Sequence, residues 1–246
     1  MAKLFDIMNF KHSIACFITI TCIIITSCGR PDTDSIDLNI EFAKEIKKTS
    51  EFLDDNKWII DSLSTFDIDP QLAITTIYPE LLFYAAGADK AEIIGLKLLY
   101  VPFGESVADF SIGTFQMKPS FVRKVESYWC EYFGAEYLNK QGITLEDTKQ
   151  QRKARIERLS DFEWSIRYLG MFIKILEQKY PDSQYLTPRE RAEFFATAYN
   201  SSFTVPFEDI LKRSNWKLFK TAVFPITTNK VYRYSRFSLL YVDLIK

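Results

Sequence analysis

Apolar residues recur every three to four positions along most of the chain, a period that predicts helix nearly throughout. From Ile36 to Leu63 they alternate with Lys and Glu at that spacing, which gives one apolar face and one wet face. At "DPQLAITTIYPELL", Asp69 supplies an N-cap and Pro70 stands at the first helical position, where a missing N–H costs nothing. "KAEIIGLKLLYV" continues as helix to about Val101. The period then vanishes from Pro102 to Pro119, "PFGESVADFSIGTFQMKP", which predicts a long loop, and Pro119 opens a further helix through "SFVRKVESYWCEYF". Two capping boxes, Ser160 with Glu163 and Thr187 with Glu190, predict two more helix starts. Between them "FEWSIRYLGMFIKILEQKY" is apolar enough for a central helix. The final "RFSLLYVDLIK" fits helix or strand, and a small extended piece is expected near Ala222 to Thr228. The predicted class is all-α, α+β at most, with one domain over residues 36–246.

The N-terminus follows a different pattern. Lys3 and Lys11 flank a polar start, and "SIACFITITCIIIT" is an unbroken apolar run too short to span a bilayer but of signal-peptide length. It ends in "ITSC", Ile25 to Cys28, which resembles a bacterial lipobox. That resemblance implies a signal peptide over residues 1–27, an acylated Cys28 and a tether over 28–35, so that a lipid anchor makes the membrane a partner. Gly29 is not the aspartate associated with inner-membrane retention, which directs the expectation to the outer membrane, facing the periplasm.

Composition narrows the chemistry. With 32 acids against 31 bases the chain has no excess of positive charge for a nucleic-acid partner, and eight Gly and nine Pro are few for a turn-rich β-sandwich. The 21 Phe and 13 Tyr supply material for a large core. The only histidine, His12, falls in the leader. A Ser-His-Asp triad, a Cys-His pair and a His-ligated metal are therefore excluded from the mature protein, and no metal or cofactor is expected. Cys16 and Cys22 leave with the leader and Cys28 carries lipid, so Cys130 has no partner for an intramolecular disulfide. Its neighbours Tyr128, Trp129, Tyr132 and Phe133 mark it as a structural thiol.

Three stretches carry candidate chemistry. In "YPELLFYAAG", Glu80 shares a helical face with Ala73, Ile77 and Tyr84, and carboxylates are rarely placed on an apolar face. Desolvation there raises a carboxyl pKa, as a general acid working near neutral pH requires. Pro79 removes a hydrogen bond to Thr75, so the helix is expected to kink or stop beside Glu80. Taken alone, the stretch also fits an exposed or ion-paired glutamate past a helix end. In "SIGTFQMKP", Gly113 permits close backbone approach and Gln116 offers a donor and an acceptor, flanked by Phe115 and Met117. A surface turn before a helix gives the same pattern. In "FFATAYNSSF", Tyr199 and Asn200 end a capped helix, and taken alone the stretch favours a core tyrosine and a left-handed C-cap asparagine.

Together, "AITTIYPE", "GTFQMKP" and "ATAYN" resemble, in order, the motifs of lysozyme-like lytic transglycosylases of the soluble-lytic (SLT) type, over about Pro70 to Ser202. "LSDFEWSIRYLGMFI" is similar to the family's acidic-capped helix. The resemblance implies a lysozyme-like helical domain and peptidoglycan glycan strands as substrate. It makes Glu80 the acid and then the base, with Gly113, Gln116, Met117, Tyr199 and Asn200 binding substrate. The reaction implied is non-hydrolytic cleavage between N-acetylmuramic acid (MurNAc) and N-acetylglucosamine (GlcNAc), which leaves a 1,6-anhydro ring. The chain departs from the pattern at Leu81, where the family has Ser, and at Ser201–Ser202, where it has Ala-Gly. The step of 36 residues from Glu80 to Gln116 implies an inserted helix at about Asp89 to Tyr100. Glu105, followed by Ser106, is an alternative acid that lacks an apolar helix ahead of it, and Asp109 is a second-carboxylate candidate or a loop cap. A lysozyme-type hydrolase and a non-catalytic peptidoglycan-binding lipoprotein remain open as alternatives.

Overall fold

The helical period is realised as twelve α-helices in the computed structural model, which describes residues 33–84, 86–221 and 230–245. The leader, Cys28 with the first part of the tether, and the extended piece expected near Ala222 to Thr228 lie outside the described residues. In chain order the helices begin with α1 (Leu38–Glu41), α2 (Ala43–Asp55), α3 (Trp58–Ser64), α4 (Pro70–Phe83) and α5 (Ala86–Phe103). They continue with α6 (Pro119–Phe133), α7 (Glu136–Lys140), α8 (Lys149–Leu159) and α9 (Phe162–Lys179). After a 3-10 turn, Pro181–Tyr185, come α10 (Pro188–Asn200), α11 (Phe207–Arg213) and α12 (Tyr234–Leu244). A two-stranded antiparallel ribbon, β1 (Lys217–Phe219) with β2 (Tyr232–Arg233), precedes α12. No described helix is long and apolar enough to cross a membrane.

Several expectations change in detail. Residues 36–63 fall in three helices, the first two meeting at Phe42 and the second ending where the Asn56 side chain bonds back to the Phe52 carbonyl at 2.8 Å. Helix α4 does not stop at Pro79: it continues to Phe83, with every residue from Leu72 to Pro79 buried. Burial of eight consecutive side chains outweighs the roughly 3 kcal/mol that an interior proline costs. Helix α5 runs through Pro102, so the loop starts at Gly104, whose positive φ of 85° turns the chain. Ser160 closes α8 by bonding to the Ile156 carbonyl, and Asp161 caps α9 through the Trp164 amide at 3.0 Å, so the first expected capping box is absent. The second is present in both halves, Thr187 to Glu190 and back. The C-terminal run is helix.

Helices α4, α10 and α12 pack mutually around Ile77, Phe195 and Phe237, and α9 lies against α6 with Phe172 between them and α10. Beside this apolar core sits a buried charged cluster. Glu126 of α6 accepts from Arg155 of α8 at 2.7 Å, from Arg158 at 3.3 Å and from the Tyr168 hydroxyl of α9 at 2.8 Å. Arg155 also donates to the Tyr100 hydroxyl of α5 at 2.8 Å, so one carboxylate ties four helices together.

Candidate active site

Helix α4 is the support on which the candidate acid stands. Its packed turns end one residue before Glu80, whose side chain is held by protein on most sides and open towards a cleft of about 390 Å³. Gln116 and Met117 from the loop, Phe121 and Lys124 from α6, and Tyr199 with Asn200 from α10 are among the residues that line this cleft. Burial pushes the Glu80 carboxyl up to about 8, and a hydrogen bond from Tyr234 opposes part of that rise. At neutral pH Glu80 is therefore chiefly the neutral acid.

Two tyrosines sit behind it. The Tyr234 hydroxyl donates to the Thr76 carbonyl at 3.2 Å and is also within hydrogen-bond reach of Glu80. One hydroxyl proton thus serves two acceptors, and an ionised Glu80 is the stronger of them. The Tyr199 ring stacks on Tyr234 with centroids 6.4 Å apart, and its hydroxyl donates to the Phe115 carbonyl. Burial, and then the charge of Glu80, hold both phenols well above their ordinary pKa, so both stay protonated donors when Glu80 ionises.

The loop owes its shape to a tight turn. Ile112 and Met117 exchange two backbone bonds of 3.0 Å, and between them Gly113 and Gln116 take positive φ of 77° and 51°. Gly113 donates its amide to the Asp89 carboxylate at 2.7 Å, while its carbonyl accepts from the Gln116 amide at 2.9 Å and from Gln116 Nε2 at 3.0 Å. The Tyr84 hydroxyl steadies Asp89 at 3.2 Å. A Cβ on Gly113 would lie 2.2 Å from the Leu159 carbonyl oxygen, a clash with backbone that no rotamer relieves. Gly113→Ala is expected to lose more than about 2 kcal/mol in urea unfolding, through the positive φ and this clash together. A change under 0.5 kcal/mol would show that the turn relaxes freely.

The sequence candidates separate clearly in space. Glu80, Gln116, Met117, Tyr199 and Asn200 all reach the cleft. Gly113 does not line it: its amide is spent on Asp89 of α5 and its carbonyl on Gln116 within the turn, so it shapes the wall that Gln116 and Met117 present. Glu105 is also outside the lining and is ion-paired with Arg123 at 2.5 Å near the surface. Asp109 lies at the cleft edge, but both its oxygens accept from Ser120, one from the amide at 2.9 Å and one from the hydroxyl at 2.6 Å. It caps α6, as a loop-capping aspartate does. The Cys130 thiol is half-buried and pushed up by burial, then by Glu126, which suits a structural role. No group of His, Cys, Asp and Glu side chains among the described residues is arranged to hold a metal ion.

Three contributors were not legible in the motifs. Asp89 reads in sequence as a first-turn acid of α5, yet it latches the loop. Tyr234 lies 154 positions beyond Glu80 with no motif around it, and Lys124 reads as a solvated helix charge. Comparison with family models, with curated proteins and with solved structures finds no match to this chain.

Proposed function

We propose that this chain is a peptidoglycan lytic transglycosylase, a glycan lyase that cleaves the MurNAc–GlcNAc β-1,4 bond, on a lysozyme-like helical domain held to the cell envelope by lipid on Cys28. The observation that carries the proposal is Glu80: a carboxyl raised to about 8, open to a cleft that Gln116, Tyr199 and Asn200 also line. That pKa keeps the proton on Glu80 at neutral pH and still lets it leave in the reaction.

Glu80 donates its proton to the glycosidic oxygen as the bond to the muramyl C1 breaks. Asp109, committed to Ser120, is not free to act as a nucleophile, so the developing positive charge falls to the substrate's own 2-acetamido oxygen. Glu80, now ionised, draws its hydrogen bond from Tyr234 and takes the proton of the C6 hydroxyl, whose oxygen closes on C1. The carboxyl ends the cycle protonated. Gln116 Nε2 is engaged by Gly113, which leaves its Oε1 to accept from a sugar hydroxyl or amide. Lys118 and Lys124 on the cleft wall fit the carboxylates of a muramyl peptide.

Digestion of purified sacculi, read by product mass, tests this reading. The expected muramyl product is lighter by one water than the reducing sugar, because no water enters. A product carrying the full water would make the chain a lysozyme-type hydrolase, and no product at all would make it a glycan-binding lipoprotein.

A further inference from the structure

On the other side of α6 from the cleft, α3, α6, α7 and α9 enclose a groove of about 710 Å³ that shares no lining residue with the cleft. Its wall is an aromatic cluster: Trp129 meets Phe133 at 4.6 Å and Tyr137 at 5.4 Å between centroids, with Phe66 edge-on at 6.3 Å. Trp58, 38% exposed, faces the groove from α3. Gly170 of α9 makes room for the Phe66 ring behind this wall. A Cβ there would stand 2.5 Å from the Phe66 ring, so only glycine in mid-helix lets that ring lie against α9. The rim is polar and balanced. Asp67 and Glu163 supply acceptors, Arg167 and Lys174 supply donors, and Lys174 holds the left-handed Asp67 turn through its carbonyl at 2.9 Å and carboxylate at 3.0 Å.

We infer that this groove is a second glycan-binding site, which takes a stretch of N-acetylated sugar chain; the inference rests on the glycan-cleaving reading above. Flat aromatic faces accept the C–H faces of pyranose rings, and a rim of paired donors and acceptors matches hydroxyls and acetamides, each of which needs both. Two acids and two bases cancel, which fits a neutral polyhydroxyl ligand better than an anion or a cation. Helix α6 links the two sites: Phe121 and Lys124 face the cleft, and Trp129 and Phe133 face the groove, about 12 Å further along the axis. Holding a second segment of an insoluble polymer raises its local concentration at the cleft without any new contact there.

The test uses the full chain carrying Glu80→Gln, expected to turn over substrate about 10³-fold more slowly, titrated with soluble tetra-N-acetylchitotetraose and with intact sacculi. Two binding events are expected. Adding Trp58→Ala and Arg167→Ala removes one event, leaves the other unchanged, and lowers retention on sacculi about tenfold. Glu163→Ala, at an exposed side chain, weakens the same event without touching the core, so loss of folding cannot imitate the result. A single event insensitive to these substitutions, with undiminished retention on sacculi, overturns the groove as a site while leaving the cleft intact. Absence of both events overturns the glycan reading and this inference with it.

Discussion

Glu80→Gln is expected to make the protein more stable at pH 9 and to lower cleavage about 10³-fold. The folded carboxyl titrates near 8 against an ordinary 4.5, so the folded state binds this proton more tightly than the unfolded chain does. Stability linked to Glu80 is therefore complete below pH 4.5, falls as the pH rises towards 8, and stays at its lower value above that. The full shift corresponds to nearly 5 kcal/mol, and partial access of water to the carboxyl brings the expected penalty to about 2–4 kcal/mol. Glutamine has the same shape and no charge, so it escapes the penalty. The variant and the parent should have similar unfolding free energies at pH 5 and should diverge by pH 9. Equal stabilities at pH 9 would mean that Glu80 is well solvated, and the proposed acid would lose its physical basis. Catalysis supplies an independent reading. kcat/KM should fall above about pH 8 as the acid ionises, and Tyr234→Phe should move that fall to higher pH, because Tyr234 is the group that lowers the Glu80 pKa. A tyrosine that served only packing would change the rate and leave the pH of the fall in place.

The second large effect belongs to Glu126. Glu126→Ala is expected to cost about 3–5 kcal/mol, because it leaves the fully buried Arg155 and the nearly buried Arg158 without their shared carboxylate. The tyrosines at positions 100 and 168 lie too deep for water to replace it. Urea unfolding measures the loss directly. Replacing the cluster as a set, with Glu126→Leu, Arg155→Met and Arg158→Leu, should recover most of the stability, since paired charges gain little over well-packed apolar side chains once desolvation is counted. If the single substitution costs under 1 kcal/mol, water reaches the cluster and its buried character is wrong.

That cluster also shows where sequence reasoning reaches its limit. "KQQRKARIERL" in α8 reads as a solvated helix, with charges all round and a thin apolar stripe. Only the packing of α6, α8 and α9 around it reveals that Arg155 is interior. The helices themselves were legible because the apolar period is local, and Thr187 with Glu190 marked a helix start because a capping box is made by four adjacent residues. The stop offered at Pro79 failed for the opposite reason: a local breaker was overruled by burial that the neighbouring residues alone do not report. In the site, the cleft positions of Glu80, Gln116, Tyr199 and Asn200 are those their motifs single out, whereas Tyr234 and Asp89 act across long sequence separations and leave no pattern.

Helix α5 lengthens the step between Glu80 and the Gln116 turn, and an engineer shortening the domain would choose it first for removal. Its first turn, however, carries the carboxylate that receives the Gly113 amide, and its Tyr100 hydroxyl receives Arg155. Excising α5 would at one stroke unlatch the turn that presents Gln116 and strip a ligand from the buried charge cluster. The segment is therefore not a detachable module, and any minimal version of the domain has to keep it or rebuild both attachments.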